Sequence, residues 1–217
     1  MSTTNTFTDK ISNELTAGLP AIEFRGEIRI VDHERDIAAA CKDLARHPVI
    51  GFDTETRPSF KKGRNYNVSL IQISTDDISF LFRINKIGLM PQLVEFLASE
   101  KVRKIGLSVK DDFHGLRKLA DFEPGGFVEL QDYVHRYCIV DASLQKIYAI
   151  IFSQRISKGQ RLTNWEADSL TPAQQHYAAL DAWACLNIYN YLEAGSFNPL
   201  ESPFVAPEEP QATTTES

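Results

Sequence analysis

The sequence predicts a mixed α/β domain, a central β-sheet flanked by helices, and three observations carry that expectation. Three short apolar runs follow one another with turn-prone residues between them: VIGFD (49–53), VSLIQIS (68–74) and ISFLF (78–82). Segments with the i, i+3, i+4, i+7 spacing of a helix face stand on either side of them. Strand-like and helical segments also interleave along the chain instead of falling into separate blocks.

Taken in order, EIRIV (27–31) reads as a strand, and Ile37, Ala40, Cys41 and Leu44 mark a helix with Asp32 and His33 placed to cap it. The three apolar runs are consecutive strands, for which an antiparallel meander is the natural connection. Leu93, Phe96 and Leu97 follow Pro91 as a short helix, VRKIGL (102–107) is a strand, and Phe113, Leu116, Leu119 and Ala120 mark another helix. Leu144, Ile147, Tyr148 and Ile151 suit an amphipathic helix. Pro172 then opens a long one in which Tyr177, Leu180, Asp181, Ala184 and Ile188 share a face. With no internal repeat or second domain visible, residues 21–194 form the domain. Residues 1–20 and the acidic, proline-rich 195–217 are expected to be disordered tails.

The 217 residues are 43% hydrophobic, enough to build a core and too apolar for a disordered chain. No apolar run approaches the roughly 18 residues of a membrane span. Cys41, Cys138 and Cys185 form no CxxC pair, which argues against a zinc ribbon, a redox motif or a disulfide framework. The opening MSTTNTFTDKISNEL shows neither a secretory signal nor a transit peptide, so a cytoplasmic location is the default expectation. A net charge of −6 at first argues against nucleic acid, which selects for basic surfaces. The two tails hold −5 of it, however, and residues 21–194 only −1.

Three acidic elements carry chemistry. Asp53 and Glu55 end an apolar strand and, two residues apart, project to one side, where they repel unless a cation lies between them; solvated acids at a strand end would look the same. Asp111 and Asp112 stand where a strand hands over to a helix, a place that capping and the helix dipole also favour for acids. Asp181 falls mid-helix among Ala, Leu, Trp and Cys, with Tyr177 one turn before it, so a tyrosine and an acid face one spot. That pair also fits a hydrogen bond in the core.

In this combination and order the chain resembles the DEDDy 3′-5′ exonucleases, the family of RNase D, the Werner syndrome helicase exonuclease domain and the proofreading domain of DNA polymerase I. The matching segments are FDTET (52–56), the KDDF region (110–113) and YAALDA (177–182). SLIQIS (69–74) and LTNWEADSLTPAQQHYAALDA (162–182) are similar to the Werner-type branch. The resemblance implies an RNase H-like fold in which Asp53, Glu55, Asp111 and Asp181 bind two divalent metals, Mg²⁺ or Mn²⁺, and Tyr177 orients the attacking water. Aligning Phe113 and Leu116 with the family's helix favours Asp111 over Asp112. The implied reaction releases nucleoside 5′-monophosphates from a 3′ end by a two-metal-ion mechanism. With two dications bound, the body's −1 becomes +3 by formal count.

The substrate expected is a single-stranded or 3′-recessed nucleic acid, DNA favoured over RNA, with no membrane partner. Thr54, Arg57, Arg64, Leu70, Phe113, His114 and Arg161 are candidate contacts, the arginines for phosphates and the apolar residues for bases. Lys61, Lys62, Arg155 and Lys158 add to the basic loops, while Leu70 and Trp165 suit the core better than a base contact. The alternatives are an RNase D-like exoribonuclease and a non-catalytic nucleic-acid-binding module of the same fold. A dehalogenase-type phosphatase requires an aspartate where Glu55 stands. Serine or cysteine nucleophile chemistry has no motif here.

Overall fold

A computed structural model describes residues 7–61, 63 and 65–195. The first regular element is helix α1 (Asn13–Gly18), capped by the Ser12 side chain. Strand β1 (Glu27–Val31) leads to α2 (Glu34–Leu44), which buries Ile37, Ala40, Cys41 and Leu44 as the periodicity predicts. His33 occupies the N-cap of α2 but makes no side-chain capping bond. Strands β2 (Val49–Thr56), β3 (Val68–Ser74) and β4 (Ile78–Phe82) form the predicted antiparallel meander. Short α3 (Ile84–Ile87) and α4 (Pro91–Ala98) follow, then β5 (Arg103–Gly106) and α5 (Val109–Leu116). The chain continues through β6 (Phe127–Glu129), α6 (Leu130–Val134) with a short 3₁₀ turn behind it, and α7 (Leu144–Phe152), and ends in α8 (Pro172–Glu193).

The six strands lie in the order β1-β4-β3-β2-β5-β6. The central hairpins are antiparallel, while β1, β5 and β6 join in parallel, so the sheet is mixed and helix-flanked. Strand β3 is buried at every residue, as its central place between β4 and β2 requires. One face packs α2 and α4 around Phe52, Ile73 and Leu97; the other packs α7 and α8 around Ile105, Tyr148 and Ile188. Helix α8 is buried nearly all round because it crosses β2, β3, β4 and β5. Its start is fixed by a capping box between Thr171 and Gln174 with Pro172 in the first turn.

The domain begins earlier than the expected boundary at residue 21. Phe7 and Ile11 are buried in the core cluster that contains α7 and α8. The Ile11 amide donates to Asp141 Oδ2 at 2.9 Å, and the Val140 and Asp141 amides both donate to the Asp9 carbonyl. Two apolar anchors and these bonds fasten a segment whose polar composition reads as a tail. The remainder of both expected tails, residues 1–6 and 196–217, lies outside the described residues. Among the described residues no helix is long and apolar enough to cross a membrane.

Candidate active site

The site forms where α8 presses on β2. A Cβ on Gly51 would stand 1.9 Å from the Ala182 carbonyl oxygen, so only glycine lets the helix come this close. That approach sets Asp181, the residue before Ala182, against Asp53 and Glu55 on the same face of β2. Carboxylate oxygens of the three lie within 4.8 Å of one another, and Glu55 and Asp181 are only 9% and 8% exposed. In the β2/β3 register Gln72 stands opposite Asp53, and its Nε2 donates to Asp53 Oδ2 at 3.0 Å. The Tyr177 hydroxyl, one turn before Asp181, donates to the Asp181 carboxylate.

The fourth acid comes from α5, and it is Asp112. The Thr54 hydroxyl donates to Asp112 Oδ1, and Asp112 is half-buried with Asp53 and Glu55 in its field. Asp111, the expected residue, is exposed and sits on the cleft wall. The reason is helical phase. Helix α5 starts at Val109 and buries Val109 and Leu116; Asp112, three residues after one and four before the other, shares their face, and Asp111 is turned about 100° away.

Glu129 fixes that phase. At the end of β6 its carboxylate accepts from the amides of Ser108 and Val109 at 2.8 and 2.9 Å and from Gln131 N at 3.2 Å. Ser108 is left-handed (φ 61°), so the strand-to-helix turn is strained and the Glu129 carboxylate holds it. Glu129 carries no motif signal beyond being an acid before a helix.

Electrostatics mark the cluster as unsatisfied. Burial and mutual repulsion push the carboxyls of Asp53, Glu55 and Asp112 well above the usual range, and burial raises Asp181 although the Tyr177 hydrogen bond pulls it down. Burial and the charges of Asp181 and Glu55 drive the Tyr177 phenol far upward, so it stays neutral. Arg161 partly offsets Glu55. Four crowded carboxylates offer only hard oxygen donors, the set that suits Mg²⁺ or Mn²⁺ rather than a thiol- or imidazole-seeking ion. The cavity they line, about 330 Å³, is open to solvent and walled by Ser108, Ser143, Gln145, Lys158 and Arg161.

The remaining predicted contacts divide. Arg161 lines the cleft, and Thr54 serves it through Asp112. Arg57 stands outside it, paired with Glu166 at 3.1 Å and stacked over the Tyr66 ring. Leu70 is not a base contact: it is fully buried with Trp165 and Tyr177 in a small core cluster. Phe113 packs edge-on against Phe127, and His114 is exposed and absent from the cleft lining. Arg155 is held by the Leu19 carbonyl, and Arg64 and Lys62 lie outside the described residues. Sequence reasoning missed Gln72, whose signal was an amide side chain inside an otherwise apolar and serine strand that is buried throughout.

A mixed sheet crossed by a buried helix, with four acids gathered at the crossing, defines an RNase H-like nuclease domain. The profile of the family described as 3′-5′ exonuclease matches residues 28–195, and the chain belongs to that family, in its DEDDy branch. Over 188 residues, 82% of this chain, it is 30% identical to the bifunctional 3′-5′ exonuclease/ATP-dependent helicase WRN of Mus musculus, of which it covers 13%. A 3′-5′ exonuclease of Drosophila sechellia is 30% identical over 197 residues, 81% of this chain and 54% of that one. The chain thus spans about half or less of these relatives. Among solved structures, the Aedes aegypti Nibbler EXO domain superposes with a TM-score of 0.71 at 24% identity, covering 83% of this chain and 97% of that one. Escherichia coli RNase D gives 0.68 at 20%, covering 77% and 44%; both likenesses concern the fold.

Proposed function

We propose that the protein removes nucleotides one at a time from the 3′ end of a nucleic acid with the help of two divalent metal ions, Mg²⁺ or Mn²⁺, releasing nucleoside 5′-monophosphates. The convergence of Asp53, Glu55 and Asp181 within 4.8 Å, with Asp112 beside them in the same cleft and Tyr177 one turn from Asp181, carries the reading in a chain of the exonuclease family. When bound, such ions supply positive charge to the attacking and leaving oxygens of an in-line displacement. The chain's own part is positional. Asp53 and Asp181 are locked by Gln72 and Tyr177, and Asp112 by Thr54 and the Glu129-held turn. The neutral Tyr177 hydroxyl, with its lone pairs free, orients the attacking water by hydrogen bonding. Lys158 and Arg161 on the cleft wall face the phosphates.

DNA is proposed ahead of RNA because SLIQIS and the segment before Tyr177 resemble the Werner-type branch. The fold likeness to RNase D, an exoribonuclease involved in structured RNA processing, supports the RNA reading. A cytoplasmic setting is proposed with this activity and accords with the buried thiols of Cys41 and Cys185. The test is a panel of labelled single-stranded DNA, 3′-recessed duplex and RNA with Mg²⁺, Mn²⁺ or chelator. Metal-dependent mononucleotide release that Asp53→Ala abolishes supports the reading. Retained binding without release under every condition would favour a non-catalytic module.

A further inference from the structure

Strand β1 closes the sheet on the side away from β6; it pairs with β4 and, among the described residues, with no other strand. The Glu27 amide donates to the Asp77 carbonyl at 2.8 Å, and the Val31 carbonyl accepts from the Arg83 amide at 2.9 Å. Glu27, Arg29 and Val31 thus direct their backbone groups to β4, and by alternation those of Ile28 and Ile30 face outward. Exposed edges are usually blunted by proline, lysine or a bulge, but EIRIV has none of these and its register with β4 is unbroken. Ile30 is 39% exposed, and a cavity of about 440 Å³ runs along the strand toward α2, lined by Arg29, Ile30, Ala39, Asp43 and Phe80. Arg29 lies over the Phe80 ring at 5.5 Å and donates to Glu27 at 2.8 and 2.9 Å and to Asp43 at 3.2 Å.

We propose that a second copy of the chain docks on this edge, β1 against β1 and antiparallel, about a twofold axis at Ile28, so that one sheet runs through both copies. The occupant and the register follow from charge. Centred on Ile28, the outward backbone groups of Ile28 meet those of Ile28 in the second copy as a hydrogen-bonded pair. Glu27 then faces Arg29 of the second copy, and Arg29 faces its Glu27, at the closer positions of the ladder. Together with the Glu27–Arg29 pair inside each chain, four charges of alternating sign form a ring beside the cavity. Centred on Glu27 or Arg29, like charges oppose each other; centred on Ile30, Arg29 faces Val31 and gains nothing. The contact is self-complementary and therefore stops at two copies. Through β4 and β3, β1 runs parallel to β2, so the twofold sets the two acid clusters at opposite ends of the joined sheet. Each cleft stays open, and pairing leaves the activity per chain unchanged.

Sedimentation equilibrium of the full chain between about 1 and 300 µM tests it. The wild-type mass should rise from one chain toward two. Glu27→Arg and Arg29→Glu should each weaken self-association by about tenfold or more, because each sets like charges opposite one another. Mixed together, these two variants should pair with each other, and the charge-swapped Glu27→Arg/Arg29→Glu should pair with itself to within about threefold of the wild type. Ile28→Pro removes an outward amide without touching the β4 ladder and should leave a folded single chain. Thermal melts establish folding in each case. Should Arg29→Glu unfold, Glu27→Arg, which keeps Arg29 on Phe80 and Asp43, carries the test with Ile28→Pro. A wild type that stays a single chain at the highest concentration would overturn the proposal. So would a dimer that survives Glu27→Arg and Ile28→Pro, since its interface would lie elsewhere.

Discussion

Strand β5 lies between two buried charged regions that use opposite solutions. Near its start, Lys104 is fully buried, yet its Nζ donates to the carbonyls of Ser99, Val102 and Gly125 at 2.6, 3.0 and 2.9 Å, with the Phe96 and Phe127 rings on either side. All three ammonium protons have partners, so the charge ties a loop to the sheet and asks for nothing more. Beyond its other end, Asp53, Glu55, Asp112 and Asp181 crowd together with polar hydrogen-bond partners, and Arg161 only partly offsets one of them, Glu55. A buried charge whose partners are complete belongs to the architecture. A cluster of one sign whose partners are incomplete is held in place by the rest of the fold for something that binds.

Removing members of each region should separate the two roles. Asp53→Ala or Asp181→Ala should lower metal-dependent mononucleotide release by at least about a hundredfold while leaving the metal-free protein as stable as before or more so; single-turnover assays and thermal melts read both. Lys104→Met should do the reverse, leaving three buried carbonyls unpaired and costing about 2–4 kcal/mol in urea unfolding, with the folded fraction still active. Tyr177→Phe should reduce kcat by about a hundredfold with the Mn²⁺ half-saturation nearly unchanged. If metal affinity collapsed in step, the tyrosine would be supporting Asp181 rather than the water. Glu129→Gln should have a smaller effect, about tenfold in kcat, because the amide oxygen can still accept one of the two helix-start amides now bound by Glu129.

The smallest effect is on pH dependence. The four carboxyls have folded values above their unfolded ones near 4, so their contribution is full below that pH and is lost as pH rises toward the folded values. In chelator the melting temperature should therefore fall by a few degrees between pH 5 and 7, and Mn²⁺ should reverse the fall. Lys104, depressed by burial to about 8, is protonated in both states over that window and adds no slope. A flat profile in chelator would mean that the acids are better solvated than their burial indicates.

The sequence makes the sheet and the long helix legible because their apolar patterns run for five to more than twenty residues; β2, β3, β4, α2 and α8 all fall where periodicity puts them. It hides elements that depend on a few contacts made at a distance. Helix α1 is held through Phe7 and Ile11, two apolar residues in a polar stretch, and the three residues of β6 show no period at all. Strand alternation and helical spacing put Asp53 with Glu55 and Tyr177 with Asp181 on shared faces, and the family resemblance supplies their role. Asp112 is not, because adjacent helical residues differ only in phase, and the phase depends on where the helix starts. The face read from Phe113 leaves out Val109, and a face that starts at Val109 turns Asp112 inward. Gly51 reads as an ordinary strand residue until α8 is packed on it, and Leu70 as a contact until the sheet buries it.

The central claim is that these four acids, and not Asp111, form the divalent metal site. Calorimetric titration of Mn²⁺ into the wild type, Asp111→Asn and Asp112→Asn tests it most directly. Two ions should bind to the wild type and to Asp111→Asn, while Asp112→Asn should lose at least one of them or bind it about tenfold or more weakly. Loss of binding in Asp111→Asn with retention in Asp112→Asn, or no Mn²⁺ binding by the wild type, would contradict it.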